Sequence, residues 1–293
     1  MATGHRFTVS PPPISARQVG TLFTTIDPTP EAFRFDGNNA RWLNGVNFTP
    51  IGCEPLKRIA NDCLPDSKEL EGFDDEVSFD AFVIYDGREC STLSGQNIQG
   101  YVDLRLSAFS SAQVAEELMV GGARVYAGGS PRVNPSLQTA AALVGTAATA
   151  AFDGLYAIEN ALADVLNGGV GVIHVTPGLL TVLAAGGGLQ FVNGRYQTPT
   201  GHFVIGDAGY TGAAPTAFGG GGDADDRWIY GSGLVSWMAT EAMPVGTFQH
   251  ERMDFTRNID VVIAERAAIF MFDPCAVVAT RVNVPDLSGD EST

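Results

Sequence analysis

Lysine is almost missing from this chain: Lys57 and Lys68 are the only two among 293 residues. Charged residues of all kinds make up 17%, where an ordinary soluble domain carries about 25%. Acidic residues outnumber basic ones, 33 to 17, so the net charge is −16. A nucleic-acid-reading surface needs clustered cations, and this balance argues against one. Cysteine is scarce as well. Cys53, Cys63, Cys90 and Cys275 lie far apart with no CxxC pair, which argues against structural zinc and against a disulfide framework. Four buried thiols are expected, with a Cys53–Cys63 bridge left open. Apolar runs are broken by Gly, Thr or Pro before about 18 residues, so no membrane span is expected. The opening MATGHRFTVSPPP has no signal-peptide core, and a soluble protein made in a cytoplasm is expected.

Catalytic signatures are missing too. Gly231-Ser232-Gly233 follows Tyr230 at the wrong spacing for a nucleophile elbow. There is no GxxxxGK[ST] phosphate cradle. Gly169-Val170-Gly171 follows a helix and enters a strand, the reverse of a dinucleotide fingerprint. The four histidines (His5, His174, His202, His250) form no metal-ligand pair. His174, at the end of an apolar strand, reads as a hydrogen-bonded structural residue rather than a pocket residue. Gly219–Asp226 (GGGGDADD) has its carboxylates out of phase with calcium-binding repeats and reads as a solvated loop. No catalytic, cofactor-binding or metal-binding residue is expected, and no cofactor.

What is present is apolar: 45% of residues, enough to bury a large core, and the length suits about two domains. Residues 1–40, with Pro11, Pro12, Pro13, Pro28 and Pro30, read as an extended arm. Val46-Asn47-Phe48 and Val77–Tyr85 read as strands. The charged Asp66–Glu76 between them reads as a projecting loop. Residues 97–120 read as a helix with Val102, Leu106, Phe109, Val114 and Leu118 on its apolar side, Glu116 and Glu117 opposite, and Gly121-Gly122 as its stop. Ala127–Pro135 reads as a connector. Residues 137–167 read as helical, in one piece or two, with Gly145 and Gly154 weakening the middle. Val170–Val175 reads as a buried strand, and Thr176-Pro177 as the cap and first position of another helix. Beyond 189 the pattern is β-rich, with strands at Thr200–Gly206, Trp228–Met238, Val261–Ala264, Ala267–Phe272 and Ala276–Val284.

This order of elements resembles the Hong Kong 97-type major capsid proteins of tailed bacteriophages, whose fold encapsulins share. The most specific stretch is Gly169–Gly206, with HVTPGLLTVL and PTGHFVIG; the second is Trp228–Val284. Trp42–Phe48 (WLNGVNF) is similar to text in actinobacterial phage head proteins. The resemblance spans about residues 35–285. It implies an α+β fold in parts: an N-terminal arm (1–40), an extended-loop region (41–90), a peripheral domain with a long spine helix (91–139 and 251–285), an axial domain (140–250) and a tail (286–293).

The same resemblance implies a non-enzymatic head protein that self-assembles into hexamers and pentamers around packaged double-stranded DNA, located in the virion capsid. Scaffold, portal and decoration proteins are further partners it implies; a membrane is not. Phe7, Phe23, Phe33, Trp42, Lys68, Glu69, Glu71, Asp74, Asp75, Glu251, Arg252 and Arg257 become the candidate inter-subunit contacts. The family's founding member crosslinks a loop lysine to an asparagine. Lys68, Asn258 and Asn283 are present here, but no pattern secures that bond, and noncovalent stabilisation is expected. An encapsulin-like compartment shell and a tail or decoration protein of the same virion are the alternatives. The composition fits a shell independently: an exterior short of ammonium groups is easily desolvated against neighbours, and an acidic subunit does not hold DNA tightly.

Overall fold

Which strands pair decides this architecture more than helix content does. The computed structural model describes residues 7–8, 45–50, 75–91, 98–122, 125–127, 130–145, 147–219, 226–241, 243–245, 253–254 and 259–284. Phe7–Thr8 (β1) pairs parallel with Val46–Phe48 (β2), which pairs antiparallel with Val77–Phe79 (β3). Phe82–Ser91 (β4) leads to the 23-residue helix Ile98–Val120 (α1). Val125–Ala127 (β5) and Ser130–Arg132 (β6) form a hairpin that overlaps the start of the expected connector Ala127–Pro135.

The 137–167 stretch is not one helix. It comprises a single turn, Leu137–Ala140 (α2), the short strands Ala142–Leu143 (β7) and Thr149–Ala150 (β8), then Ala151–Val165 (α3). Pairing of β7 and β8 with a distant strand overrides the helix propensity of the alanines. Val172–Val175 (β9), Pro177–Ala185 (α4), Gln190–Val192 (β10), Arg195–Gln197 (β11) and Phe203–Gly206 (β12) follow. Asp226–Ser232 (β13), Ser236–Ala239 (β14), Met243–Val245 (β15), Met253–Asp254 (β16), Ile259–Met271 (β17) and Val278–Asn283 (β18) complete the order.

An eight-stranded mixed sheet runs β10-β11-β12-β9-β13-β18-β7, with β8 also on β18. A five-stranded sheet is built on β17, with β4 along one side and β14, β15 and β16 in series along the other. Trp228–Met238 is therefore two strands in two sheets, and the chain crosses between them at Gly233, Leu234 and Val235. Strand β18, grouped by sequence number with the peripheral segment, pairs in the eight-stranded sheet; β14 and β15, numbered with the axial segment, pair in the other.

Local chemistry explains the helices. Thr176 caps α4 by accepting from the Leu179 N–H at 3.4 Å, with Pro177 at the first position. Leu155, Ile158 and Leu162 of α3, with Leu179 and Leu183 of α4, pack on Ile173, Val175, Val204, Ile229, Val278 and Val282. Gly154 does not merely weaken α3. A Cβ there would stand 2.1 Å from Val282 Cγ1, so the glycine lets helix and sheet approach. Helix α1 ends at Gly121, whose φ of +66° suits a left-handed cap and whose N–H reaches Glu117 O at 2.7 Å.

A second core is aromatic. Phe48 stacks on Phe79 at 5.9 Å, and Phe79 meets Phe270 and Phe272 edge-on. This cluster also takes in Val172, Trp228 and Tyr230, so it lies against both sheets. Strand β9 is buried on both faces, as its continuous apolar run requires.

Candidate functional site

Most of the candidate contacts (Phe23, Phe33, Trp42, Lys68, Glu69, Glu71, Asp74, Glu251, Arg252 and Arg257) lie outside the described residues, as does Asn258. Phe7 contributes backbone to β1 opposite Val46. Asp75 is exposed just ahead of β3. Asn283, at the exposed end of β18, pairs with Asp226 across the ladder. Three readings need correcting. Glu117 does not face solvent; it is buried, and its Oε1 accepts from Asn134 Nδ2 at 3.4 Å, because α1 turns that edge under the 133–136 segment. Asp226 is not a loop residue; it opens β13, buried and ion-paired with Arg281. Cys275 is not a buried thiol; it is exposed and disulfide-bonded.

His174 is the structural residue expected of it. Its Nδ1 lies 2.9 Å from Tyr210 Oη and its Nε2 2.8 Å from Ser232 Oγ. Ser232 donates its own proton to Gly233 O at 2.8 Å. The serine therefore accepts from His174, which assigns the Nε2–H tautomer and makes Tyr210 the donor to Nδ1. Burial holds the imidazole neutral, with its pKa lowered to about 3. Burial, and then the Asp207 charge, push the Tyr210 phenol up; burial does the same to Tyr230, which donates to Ala213 O at 2.6 Å. A serine beside a histidine can be a nucleophile pair. Here both side chains are fully buried, no substrate reaches them, and the group works as a brace.

That brace has a mechanical consequence. Tyr210 fixes the loop holding Gly209, and a Cβ on Gly209 would stand 2.4 Å from both Ala112 O and Glu116 N of α1. The eight-stranded sheet thus seats α1 by direct backbone contact. A second polar joint lies nearby. Asn134 accepts from Asp80 N–H at 2.7 Å and donates to Asp80 O at 2.9 Å, joining the β3–β4 bend to the segment that follows β6.

Among the described residues no group of His, Cys, Asp or Glu is arranged to hold a metal ion, and no helix is long and apolar enough to cross a membrane. The surface carries large apolar side chains instead. Val83 is 55% exposed, Tyr85 72%, Leu104 68%, Tyr156 68% and Phe191 66%. Phe191 sits at the tip of the β10–β11 hairpin, edge-on to Tyr196 at 5.0 Å across the Asn193-Gly194 turn. Both turn residues have positive φ, as a tight two-residue hairpin demands. An open groove of about 530 Å3 runs between β4 and α1, lined by Val83, Tyr85, Asp86, Arg105, Glu116 and Val120 among others. Arg105 Nε holds Asp86 Oδ2 at 2.8 Å in it. The candidate contacts did not include Val83, Tyr85 or Phe191. The alternation in β4 and the Asn-Gly turn were the available signals.

No family model matches the sequence, and no curated protein matches it. Solved structures do match. A chain from Gordonia phage Cozz is similar with a TM-score of 0.51 at 15% identity, covering 94% of this chain and 85% of its own. The capsid of an empty GTA particle is similar with a TM-score of 0.50 at 10% identity, covering 82% and 85%. At such identity the likeness lies in the course of the backbone. The chain has the α+β Hong Kong 97-type capsid fold.

Proposed function

We propose that this chain is the major head protein of a tailed phage, many copies of which close as hexamers and pentamers into an icosahedral shell around double-stranded DNA. The observation that carries the reading is the capsid fold joined to a surface with large exposed apolar side chains on several elements. Contiguous exposed apolar surface marks a contact with another molecule, and Val83 and Tyr85 stand side by side on one face of β4. In this reading α1 and the five-stranded sheet form the peripheral part, and the eight-stranded sheet with α3 and α4 the axial part. The arm (1–40) and the loop around 50–80 wrap neighbouring subunits. The role is structural rather than enzymatic, the location is the virion, and scaffold, portal and decoration proteins meet the assembled shell. The net charge of −16 keeps packaged DNA loosely held.

Electron microscopy of the purified full chain tests the proposal. Closed icosahedral particles are expected, and particles from an infected lysate should contain DNA. A monodisperse monomer under all assembly conditions sinks it, and cargo protein in place of DNA moves the reading to a compartment shell. Deleting residues 1–25 is expected to leave a folded subunit that closes shells poorly; normal shell yield would remove the arm from the account.

A further inference from the structure

Strand β4 is open along one side. All ten of its residues pair with β17, and among the described residues no strand pairs with its other edge. Long regular edges invite pairing with another chain unless proline, a bulge or lysine blunts them. The sequence FVIYDGRECS has neither proline nor lysine, and its register is unbroken. Ile84 and Asp86 face α1: Ile84 packs with Val102 and Leu106, and Asp86 bonds Arg105. Val83 and Tyr85 face away and are exposed.

We propose that β4 pairs antiparallel with β4 of a second copy, about a two-fold axis through Gly87, joining two five-stranded sheets into one. The inference builds on the shell reading and names one contact in it. The sequence selects the register. A two-fold perpendicular to the sheet keeps each face on its own side, so opposed residues must share a face. The axis must then fall at a residue, not between two. An axis at Asp86 opposes Asp86 to itself, and an axis at Arg88 opposes Arg88 to itself; like charges directly opposite are destabilising. The axis at Gly87 sets Asp86 against the partner's Arg88, and the reverse, giving two reciprocal ion pairs. Registers centred farther out pair fewer residues and set Asp86 against no Arg88. At Gly87, moreover, Tyr85 lies diagonal to the partner's Gly87, where an aromatic ring covers bare backbone. The groove beside α1 leaves this edge open to an incoming strand.

A cysteine at the axis tests this in the full chain. A Cβ on Gly87 meets Ile263 Cγ1 at 3.3 Å, which a small side-chain shift accommodates. Opposed residues in an antiparallel pair have Cα atoms about 4.5–5.5 Å apart, within disulfide reach. Assembled Gly87→Cys particles treated with diamide, which takes up the two thiol protons and two electrons, should yield mostly dimers, with the β4 peptide disulfide-linked to its own copy through the introduced thiol. Val83→Cys, far from its own copy in this register, should give none. Adding Arg88→Asp to Gly87→Cys should lower linking about fivefold by opposing two carboxylates, while Arg88→Lys should keep it. Assembled Gly87→Cys without the link, or equal linking at position 83, overturns the pairing and leaves the shell reading standing. Linked dimers that never form shells do the reverse. If Gly87→Cys does not fold, hydrogen exchange on the unaltered chain decides: β4 amides should gain protection on assembly, and no gain overturns the proposal.

Discussion

The two sheets satisfy themselves to different degrees. In the eight-stranded sheet β9 has a strand on each side, helices α3 and α4 on one face, and His174, Tyr210 and Ser232 mutually satisfied on the other. In the five-stranded sheet α1 covers one face, while β4 ends in an open edge beside a groove with Tyr85 bare. Around β9 the first buries its apolar surface internally and specifies a unique subunit, while Phe191 on its edge strand β10 and Tyr156 on α3 stay exposed. The second leaves apolar surface and the backbone groups of the β4 edge without a covering strand among the described residues, where another chain can pair with them. In the proposed shell, the brace around β9 serves stability and the β4 edge serves association. A change in one need not disturb the other.

That separation can be broken experimentally. The largest effect is expected from Asp226→Ala, which removes the carboxylate from Arg281, itself only 15% exposed. Losing one partner of a buried pair costs about 3–5 kcal/mol, read as a lower urea midpoint of the dissociated subunit. Gly209→Ala comes next. Its Cβ meets backbone of α1 that cannot step aside, and overpacking of this kind costs about 1–3 kcal/mol. Gly122→Ala, with nothing within 4 Å, should change stability by less than about 0.5 kcal/mol; equal effects would mean that the loop does not seat α1.

The pH effect is smaller per step. His174 stays neutral in the fold down to about pH 3, whereas the unfolded chain takes up a proton below its usual 6.5. The unfolded state therefore binds more protons between those values, and stability falls as pH drops through that window. The slope reaches at most about 1.4 kcal/mol per pH unit. Melting measured from pH 7 to 5 should fall more steeply for the native chain than for His174→Gln; parallel curves would remove the histidine from the brace. Least affected in fold should be Tyr85→Ser, within about 0.5 kcal/mol for so exposed a position, yet with fewer assembled particles by light scattering. Lost stability with unchanged assembly would reverse the assignment of the two regions.

What could be read in the linear text was local. The stripe of Val102, Leu106, Val114 and Leu118, the Thr176-Pro177 cap and the uninterrupted VGVIHV each carry their own signal, and α1, α4 and β9 stand where those signals put them. What was misread depended on distant partners. Glu117 looked like a solvated charge until Asn134 came over it. Strands were expected at Val261–Ala264 and Ala267–Phe272, with Glu265 and Arg266 between; instead β17 runs straight through, and the Arg266 guanidinium reaches Thr240 O at 2.7 Å and Ser110 Oγ at 2.9 Å. The contact candidates rested on their place in the chain, and the exposed side chains that now stand out, Val83 and Tyr85, sat within Val77–Tyr85, which was expected simply as a strand.

By itself the sequence pointed to the fold, through an element order matching one capsid architecture. Periodicity and caps act over a few residues, so they survive translation into text. Only the tertiary structure decided that β4 is an edge, that β18 closes the larger sheet, and that Gly154 and Gly209 are points of close approach. Those properties depend on which segments, tens to hundreds of residues apart, come to lie side by side, and nothing in a single strand's composition records its neighbour.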